Sequence, residues 1–186
     1  MRITGGKAKG ITLNSPKGSA TRPAADAIRE ALYSSIAELV PGCRLLDLFA
    51  GTGAYGLEAL SRGAARIRFV ESDRKAVASI RENLQRVRKS SDLKTAETEI
   101  FQGNVFKVRS LNTQDWDIMI ADPPYADIPS LESKLFDMAE RLLVPAGLLI
   151  LEHPANLSLT SDNWVEIKRL GKKRGRGPAV SIWRRS

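Results

Sequence analysis

The stretch "RLLDLFAGTGAYGLEALSRG", residues 44–63, decides the fold. Its first part, "RLLDLF", is a short apolar run with one acidic residue and predicts a buried strand. Its last part, "AYGLEALSR", is typical of a helix and is followed by Gly63, a usual C-terminal signal. The loop between them carries Gly51, Gly53 and Gly56 in the pattern G-x-G-x-x-G. A strand, a glycine-rich loop and a helix in this order are typical of an open, mostly parallel sheet.

The residues that follow repeat the alternation of strands and helices. Further strands are predicted at 66–71, 98–102, 116–121 and 148–152. Helices are predicted from a cap at Asp73 to Val87, from near Ser130 to just before Pro145, and, ahead of the first strand, over 23–40. The chain ends differently, because "NWVEIKRL" and "AVSIWRR" are two strands joined by "GKKRGRGP" with no helix between. The prediction is an α/β fold with a mostly parallel seven-stranded sheet, helices on both faces and a C-terminal antiparallel hairpin.

Length and composition narrow the class of protein. A chain of 186 residues fits one domain, 1–186, with a basic N-terminal extension (1–22), a leading helix (23–40) and a core (41–186) that ends in the basic hairpin. No apolar run approaches the roughly 18 residues of a membrane span, and "MRITGGKAKG" has no apolar signal core. One cysteine and one histidine disfavour disulfide, metal and thiol chemistry, so we expect a cytoplasmic protein without a metal. We also expect a monomer.

The basic residues are concentrated at the two ends. Residues 1–25 hold five basic and no acidic residues, and 168–186 hold eight basic and none acidic, which leaves 16 basic against 21 acidic for 26–167. A solubilising surface is one explanation. Contact with a polyanion is the one we favour, because Lys and Arg that neutralise phosphates release counterions. The residues predicted to contact the polyanion are Arg2, Lys7, Lys9, Arg22, Lys172, Lys173, Arg174 and Arg176, with Lys7 and Lys9 in a flexible, glycine-rich segment.

Two carboxylates flank the glycine-rich loop. Open α/β sheets bind ligands outside the carboxyl ends of their strands, which is where these residues fall. Glu71 ends the next strand, 20 residues after Gly51, and would accept both hydroxyls of a ribose. That spacing alone also fits a nicotinamide dinucleotide. Asp47, four residues ahead of Gly51, would repel a diphosphate and attract an ammonium and a sulfonium, which favours S-adenosylmethionine.

The segment "ADPPY", residues 121–125, follows the predicted strand 116–121. Two prolines lack donors and are fixed in φ, so Pro123 and Pro124 make a rigid strand end. The Asp122 carboxylate and the Pro123 carbonyl would accept from the hydrogens of an exocyclic amine and direct its lone pair at a methyl group. Tyr125 offers a ring on which a base can stack. These four residues are the predicted catalytic set.

These motifs carry a family resemblance. "DLFAGTGAYGLEALSRGA", "FVESD" and "ADPPY" resemble the Rossmann-like class I S-adenosylmethionine-dependent methyltransferases that modify exocyclic amines. With "MRITGGKAKG", "TRPAADAIREALY" and "LEH" in the same order, the chain is similar to the RsmD-type enzymes that methylate guanine N2 in bacterial 16S ribosomal RNA. The resemblance implies that ribosomal RNA or the assembling small subunit is the partner. D-P-P-Y alone fits adenine N6, cytosine N4 and guanine N2 enzymes alike.

The resemblance also implies roles for single residues. Asp47, Gly51 and Gly53 would hold the methionine part of the cofactor, Glu71 the ribose, and Asn104 the adenine amino group, with Phe49 and Ser72 as further cofactor contacts. Three alternatives remain beside guanine N2: an adenine-N6 methyltransferase on DNA or RNA, a nucleic-acid-binding module with a vestigial cofactor fold, and a nicotinamide dehydrogenase, which Asp47 and the lack of a hydride-transfer site oppose. The intact Asp122, Pro123, Tyr125 and Glu71 speak against the second.

Overall fold

The computed structural model describes residues 1–15, 23–90, 93, 96–108, 111, 114–172, 175 and 177–186. Within these ranges the strands are β1 (Arg44–Leu48), β2 (Arg66–Glu71), β3 (Glu97–Gln102), β4 (Trp116–Ala121), β5 (Leu143–Pro154), β6 (Trp164–Gly171) and β7 (Pro178–Arg185). The α-helices are α1 (Pro23–Ser35), α2 (Ala54–Ser61), α3 (Arg74–Ser90) and α4 (Ile128–Leu142). Two short 3₁₀ helices occupy Ala37–Leu39 and Val105–Lys107.

The strands form one sheet in the order β3-β2-β1-β4-β5-β7-β6. The pairs among β3, β2, β1, β4 and β5 are parallel, and β7 pairs antiparallel with both β5 and β6. The predicted Rossmann-like α/β fold, with its seven strands and C-terminal antiparallel hairpin, is therefore confirmed. The chain order reverses between β1 and β4, and ligands of open α/β sheets bind at such a switch point.

Apolar side chains cover both faces of the sheet. Along β1, Leu45 joins a cluster with α1, α2 and α3, whereas Leu46 and Leu48 join a second cluster with α4. This alternation follows from the two-residue period of a strand. Because the buried strands are apolar on both sides, helices are required on both faces. The polar Asp47, which lies on the α2 side of β1, is therefore exceptional and belongs to the site.

Two predicted boundaries were wrong. The leading helix, expected over 23–40, ends at Ser35 and gives way to the 3₁₀ helix. The Ser35 hydroxyl donates to the Leu32 carbonyl at 2.8 Å, a local bond that competes with helix continuation. Strand β5, expected from residue 148, begins at Leu143, which pairs with Trp116 before the register shifts. Pro145 lies in the shifted segment, where it has no N–H to donate to the ladder.

The cap and stop signals were predicted correctly. The Ala76 N–H donates to Asp73 Oδ1 at 2.8 Å, which caps α3 as expected. Gly63, with φ of 99°, follows the end of α2 in the left-handed conformation that suits glycine. Helix α4 begins at Ile128, slightly ahead of the predicted Ser130, with Pro129 in its first turn. In the described part of the chain, no helix has the length and apolarity that a membrane span requires.

Candidate active site

Asp47 holds the glycine-rich loop from below. Its Oδ2 accepts from the Gly56 N–H at 2.8 Å, in the first turn of α2, and its side chain is 2% exposed. A Cβ on Gly56 would lie 2.3 Å from a ring carbon of Phe69 and 3.0 Å from Asp47 Oδ2, so only glycine fits there. Gly53 precedes the helix with φ of 78°, again in the left-handed region. The loop is thus fixed by a buried carboxyl and by close packing.

Burial alters the ionisation of Asp47. Desolvation raises the pKa of this carboxyl to about 8, opposed by the Gly56 N–H bond and reinforced by the negative charge of Glu71. The sequence placed Asp47 in the mouth of the loop, as an attractor of positive charge. In the structure it lies beneath the loop and outside the lining of the two cavities described below. Its visible role is to hold the start of α2.

Glu71 connects the loop to the end of β2. Its Oε2 accepts from the Gly51 N–H at 2.7 Å and its Oε1 from the Asp73 N–H at 2.8 Å. The carboxylate is therefore oriented by the backbone on both sides. The Ser72 hydroxyl also donates to Oε1, at a longer 3.4 Å. Since a carboxylate has roughly four lone-pair sites, acceptor capacity remains toward the adjacent cavity. Ser72, next in the chain, lines the same cavity.

A cavity of about 490 Å³ at the carboxyl ends of the strands contains most of the residues predicted for the cofactor and for catalysis. Its lining consists of Phe49, Glu71, Ser72, Asp122, Pro123, Pro124, Tyr125 and Glu152. Residues predicted for the cofactor and residues predicted for catalysis thus meet in one space. Phe49 supplies an aromatic wall, with its ring edge-on to Phe106 at a centroid distance of 6.3 Å.

A second cavity of about 220 Å³ shares Phe49, Asp122 and Glu152 with the first. It extends over the glycine-rich loop at Gly51 and reaches the N-terminal segment. Arg29 of α1 contributes to its wall, although the residue is only 2% exposed. Because the two cavities share Phe49, Asp122 and Glu152, they adjoin at the ends of β1, β4 and β5, where a cofactor and a second group could lie side by side.

Glu152 was missed as a site residue by sequence reasoning. It lies near the carboxyl end of β5, and its two oxygens accept from the hydroxyls of Tyr55 at 2.5 Å and Tyr125 at 3.1 Å. The only sequence signal was its place at the end of a predicted strand, within the "LEH" triplet. Its partners are 97 and 27 residues away in sequence, and no local pattern connects them.

Asn104 was predicted to meet the adenine of a cofactor. In the structure its Oδ1 accepts from the Phe106 N–H at 2.8 Å and caps the second 3₁₀ helix. The residue is exposed and lies outside the lining of the two cavities. Its predicted contact therefore stays a prediction, and the visible function of Asn104 is to shape the turn after β3.

The N-terminal basic residues lie on a docked segment, so the predicted flexibility was wrong. Residues 1–15 fold back on themselves through the Arg2–Thr12 bridge and pack against α2. Ser61 at the end of α2 accepts from the Lys7 N–H with its carbonyl and from the Ala8 N–H with its hydroxyl. The side chains of Arg2, Lys7, Lys9 and Lys172 are exposed. Arg22, Lys173, Arg174 and Arg176 lie outside the described residues.

His153 is a structural residue. It is fully buried, with Nδ1 donating to the Pro154 carbonyl at 2.9 Å and Nε2 at 2.8 Å from the Ser181 hydroxyl. Burial lowers its pKa below the ordinary value, so the ring favours the neutral form. The bond to Ser181 connects β5 to β7, whereas the bond to Pro154 stays within β5.

The family model, two curated relatives and a solved structure similar to this chain agree with one another. The family model described as "Conserved hypothetical protein 95" matches residues 1–178. "Putative rRNA methyltransferase YlbH" of Bacillus subtilis is 31% identical over 86% of this chain and 85% of its own length. "Ribosomal RNA small subunit methyltransferase D" of Haemophilus influenzae is 28% identical over 90% of this chain and 86% of its own. The solved structure of "Putative methyltransferase yhhF" from Escherichia coli superposes with a TM-score of 0.79, at 28% identity, over 100% of this chain and 97% of that one.

Proposed function

This chain belongs to the family described as "Conserved hypothetical protein 95", the RsmD-type family that its sequence resembles, and we propose that it transfers a methyl group from S-adenosylmethionine to guanine N2 in small-subunit ribosomal RNA. Its relatives are named as ribosomal RNA methyltransferases, which supports the reaction and the class of substrate. The position on the base is our own assignment.

One observation carries the proposal. Asp122, Pro123, Pro124 and Tyr125 line one cavity together with Phe49 and Glu71. A group that accepts amine hydrogens therefore lies in the same space as a carboxylate suited to a ribose and an aromatic wall suited to a purine. Methyl transfer to an exocyclic amine requires this proximity, because the reacting atoms must be held within about 3–3.5 Å of each other.

The residues of the first cavity suit S-adenosylmethionine. The Glu71 carboxylate, oriented by the Gly51 and Asp73 N–H groups, would accept from the ribose hydroxyls. Phe49 and Ser72 would line the adenosine, and the loop at Gly51 would admit the methionine part without a side chain in the way. A Cβ on Gly53 would meet Ile80 and Phe69, so Gly53 would contribute by shaping the loop. When bound there, the cofactor supplies an electrophilic methyl group. Asp47 would act through the loop that it holds.

Asp122 and the prolines prepare the amine. A planar exocyclic amine is a poor nucleophile, because its lone pair is delocalised into the ring. The Asp122 carboxylate and the Pro123 carbonyl, both acceptors, would take hydrogen bonds from its two hydrogens and favour a pyramidal nitrogen. Pro123 and Pro124 keep that carbonyl fixed, so no reorganisation is needed at the moment of transfer. The proton is lost after methylation, when the nitrogen is acidic, so no strong base is required.

Tyr125 would hold the target base by its ring. The Tyr125 hydroxyl donates to Glu152, which fixes the ring at the edge of the cavity. Base stacking on an aromatic side chain is worth roughly 1–3 kcal/mol, which offsets part of the few kcal/mol needed to unstack a base. The exposed Arg2, Lys7, Lys9 and Lys172 are proposed to contact phosphates and to position the RNA without selecting the base.

An in vitro methylation assay tests the proposal. It combines the purified protein with tritiated S-adenosylmethionine and with small-subunit ribosomal RNA from cells lacking the protein. The expected result is label in N2-methylguanosine after digestion to nucleosides. Label in N6-methyladenosine would support the alternative, an adenine-N6 methyltransferase. Calorimetric titration with S-adenosylhomocysteine and with NAD tests the cofactor separately, and binding of NAD alone would contradict the assignment.

A further inference from the structure

Glu152 lies beside Asp122 at the same level of the sheet. Strands β4 and β5 are parallel with Ala121 paired to Leu151, so the next residues of the two strands are neighbours. Ile120 and Ile150, two positions earlier, both face the α1–α2–α3 side. By the two-residue alternation of extended chain, Asp122 and Glu152 leave the sheet toward that same side. Both residues line both cavities, which places two carboxylates where the target base would enter.

Two tyrosines fix the position of the Glu152 carboxylate. Tyr55, in the first turns of α2, donates to one oxygen, and Tyr125 donates to the other. Tyr55 is itself buried, and the Tyr33 hydroxyl donates to its backbone carbonyl at 2.6 Å. Glu152 is therefore supported by α1, α2 and the strand end after β4. An acceptor held this firmly at the edge of a cavity is suited to recognising a donor on a ligand.

The two tyrosines occupy only part of its acceptor capacity. A carboxylate has roughly four lone-pair sites, and each tyrosine hydroxyl uses one. In the described part of the chain, no ion pair within 4.0 Å involves Glu152. Glu152 is half-buried and lines both cavities. Its carboxylate is therefore an oriented acceptor that can bind a donor on a ligand.

The three amines that a D-P-P-Y site can accept differ in the neighbouring ring nitrogen. Beside the N2 amine of guanine is N1, which carries a hydrogen. Beside the N6 amine of adenine is N1 without a hydrogen, and beside the N4 amine of cytosine is N3 without a hydrogen. A carboxylate next to the amine site would accept from the guanine N1–H and would repel the ring lone pair of the other two bases.

We propose that Glu152 selects guanine by accepting its N1–H while Asp122 and the Pro123 carbonyl hold the N2 amine. The inference rests on the proposed function, since it places the amine at Asp122. It adds a residue and a chemical reason for the choice of base. Tyr55 and Tyr125 act as positioning residues, because they orient Glu152.

The test uses a base analogue that separates the two contacts. 2-Aminopurine keeps the amine at position 2 but has no hydrogen on N1. Small-subunit particles are reconstituted with 16S RNA that carries either guanine or 2-aminopurine at the modified nucleotide, and kcat/KM is measured for each. The wild-type protein should prefer guanine by at least about 100-fold, because a site built for a hydrogen bond rejects an analogue that lacks it by up to about 10,000-fold or more. Equal transfer to both bases would overturn the proposal.

Glu152→Gln supplies the second arm, since its amide has the same shape and both donates and accepts. Transfer to guanine should fall by about 100-fold, and the preference over 2-aminopurine should shrink to less than about tenfold, because the amide N–H can meet the unprotonated N1. Tyr55→Phe, which keeps the carboxylate but removes one support, should lower the preference partly. Glu140→Gln, on the exposed side of α4, is the matched control and should change neither value.

The outcomes separate this inference from the proposed function. If Glu152→Gln lowers transfer to both bases equally, with S-adenosylhomocysteine affinity and melting temperature unchanged, Glu152 supports the cavity and does not select the base. If the wild-type protein transfers the methyl group to guanine and to 2-aminopurine equally well, the result contradicts the role of Glu152 and leaves the proposed function supported. If mass spectrometry finds the methyl group on an adenine, both fall.

Discussion

The proposed role of Asp122 in methyl transfer depends on the rigid Pro123–Pro124 backbone that follows it. Asp122 and the neighbouring Pro123 both line the cavity in which the cofactor and the amine are proposed to meet. Asp122→Ala should lower methyl transfer by about 100-fold or more, the usual effect of removing one preorganised contact to a transition state. The affinity for S-adenosylhomocysteine, measured by calorimetry, should change little.

Asp127→Ala is the control for that experiment. Asp127 is exposed at the start of α4, a few residues beyond the motif and outside the cavity lining. It should keep nearly normal turnover. An Asp122→Ala protein as active as this control would show that Asp122 only shapes the turn.

Asp47 makes stability depend on pH. Folding raises the pKa of this carboxyl from 3.8 to about 8 through burial, so the folded protein holds the proton more tightly than the unfolded chain does. Its contribution to stability is complete below about pH 4 and is lost as the pH rises through about 8. Asp47→Asn keeps an acceptor for the Gly56 N–H and removes the titration.

As the pH rises between about 4 and 8, the free energy of unfolding of the wild-type protein should therefore fall relative to that of Asp47→Asn. In the middle of this range the fall should be about 1.4 kcal/mol per pH unit. Urea unfolding at several pH values measures the difference. Curves that stay parallel across the range would contradict the buried, protonated carboxyl.

For single residues, the sequence was informative where a polar residue comes directly at the end of a predicted strand. Asp47, Glu71 and Asp122 were found because parallel strands bring their carboxyl ends together, and a pattern of strands predicts that without coordinates. What the sequence could not predict was how each side chain is used. Asp47 faces inward and Asn104 caps a turn, whereas Glu152 depends on tyrosines from two other elements. Such contacts depend on packing between distant segments.

Among the secondary-structure elements, those defined by local sequence patterns were predicted well, and the docking of the N-terminal segment, which depends on long-range contacts, was not. Helices and strands with strong periodicity were predicted with boundaries within a few residues. The N-terminal segment was expected to be a flexible basic arm, because glycines surround Lys7 and Lys9. It docks instead, since Glu58 of α2 is fully buried and accepts from the Thr4 N–H at 2.8 Å and the Thr4 hydroxyl at 2.7 Å.

Glu58 is the residue on which that docking depends. It also pairs with the buried Arg29 at 3.5 Å and with Arg62 at 2.9 Å. Glu58→Ala should destabilise the protein by about 1–3 kcal/mol, because it leaves the buried Thr4 N–H and hydroxyl without their acceptor, whereas Arg29 keeps its ion pair with Asp26 at 2.9 Å. Hydrogen exchange at the Thr4 amide should also accelerate. Glu30→Ala, exposed on α1, is the control, and equal exchange in the two variants would show that the N-terminal segment is held by other contacts.

The distribution of charge concerns the whole molecule. The net charge is +8, yet residues 26–167 hold more acidic than basic residues, so the two ends account for the excess. Replacing Lys172, Lys173, Arg174 and Arg176 with serine should weaken RNA binding and reduce its salt dependence. If these side chains together neutralise about three phosphates, the log–log slope should fall by about two to three.

Exchange of the same four residues between Lys and Arg is the matched control, because it keeps the charge and should keep the slope. RNA affinity at several salt concentrations measures both proteins. Cofactor binding should be unaffected. An unchanged slope in the serine variant would mean that the C-terminal charges only solubilise the protein.

The central claim is that the cavity at the ends of β1, β4 and β5 methylates guanine N2 in small-subunit ribosomal RNA. Its most direct test is mass spectrometry of 16S ribosomal RNA nucleosides from cells with and without the protein. The account predicts the loss of one N2-methylguanosine, restored by the wild-type protein and not by Asp122→Ala. Unchanged N2-methylguanosine, or the loss of N6-methyladenosine in its place, would contradict it.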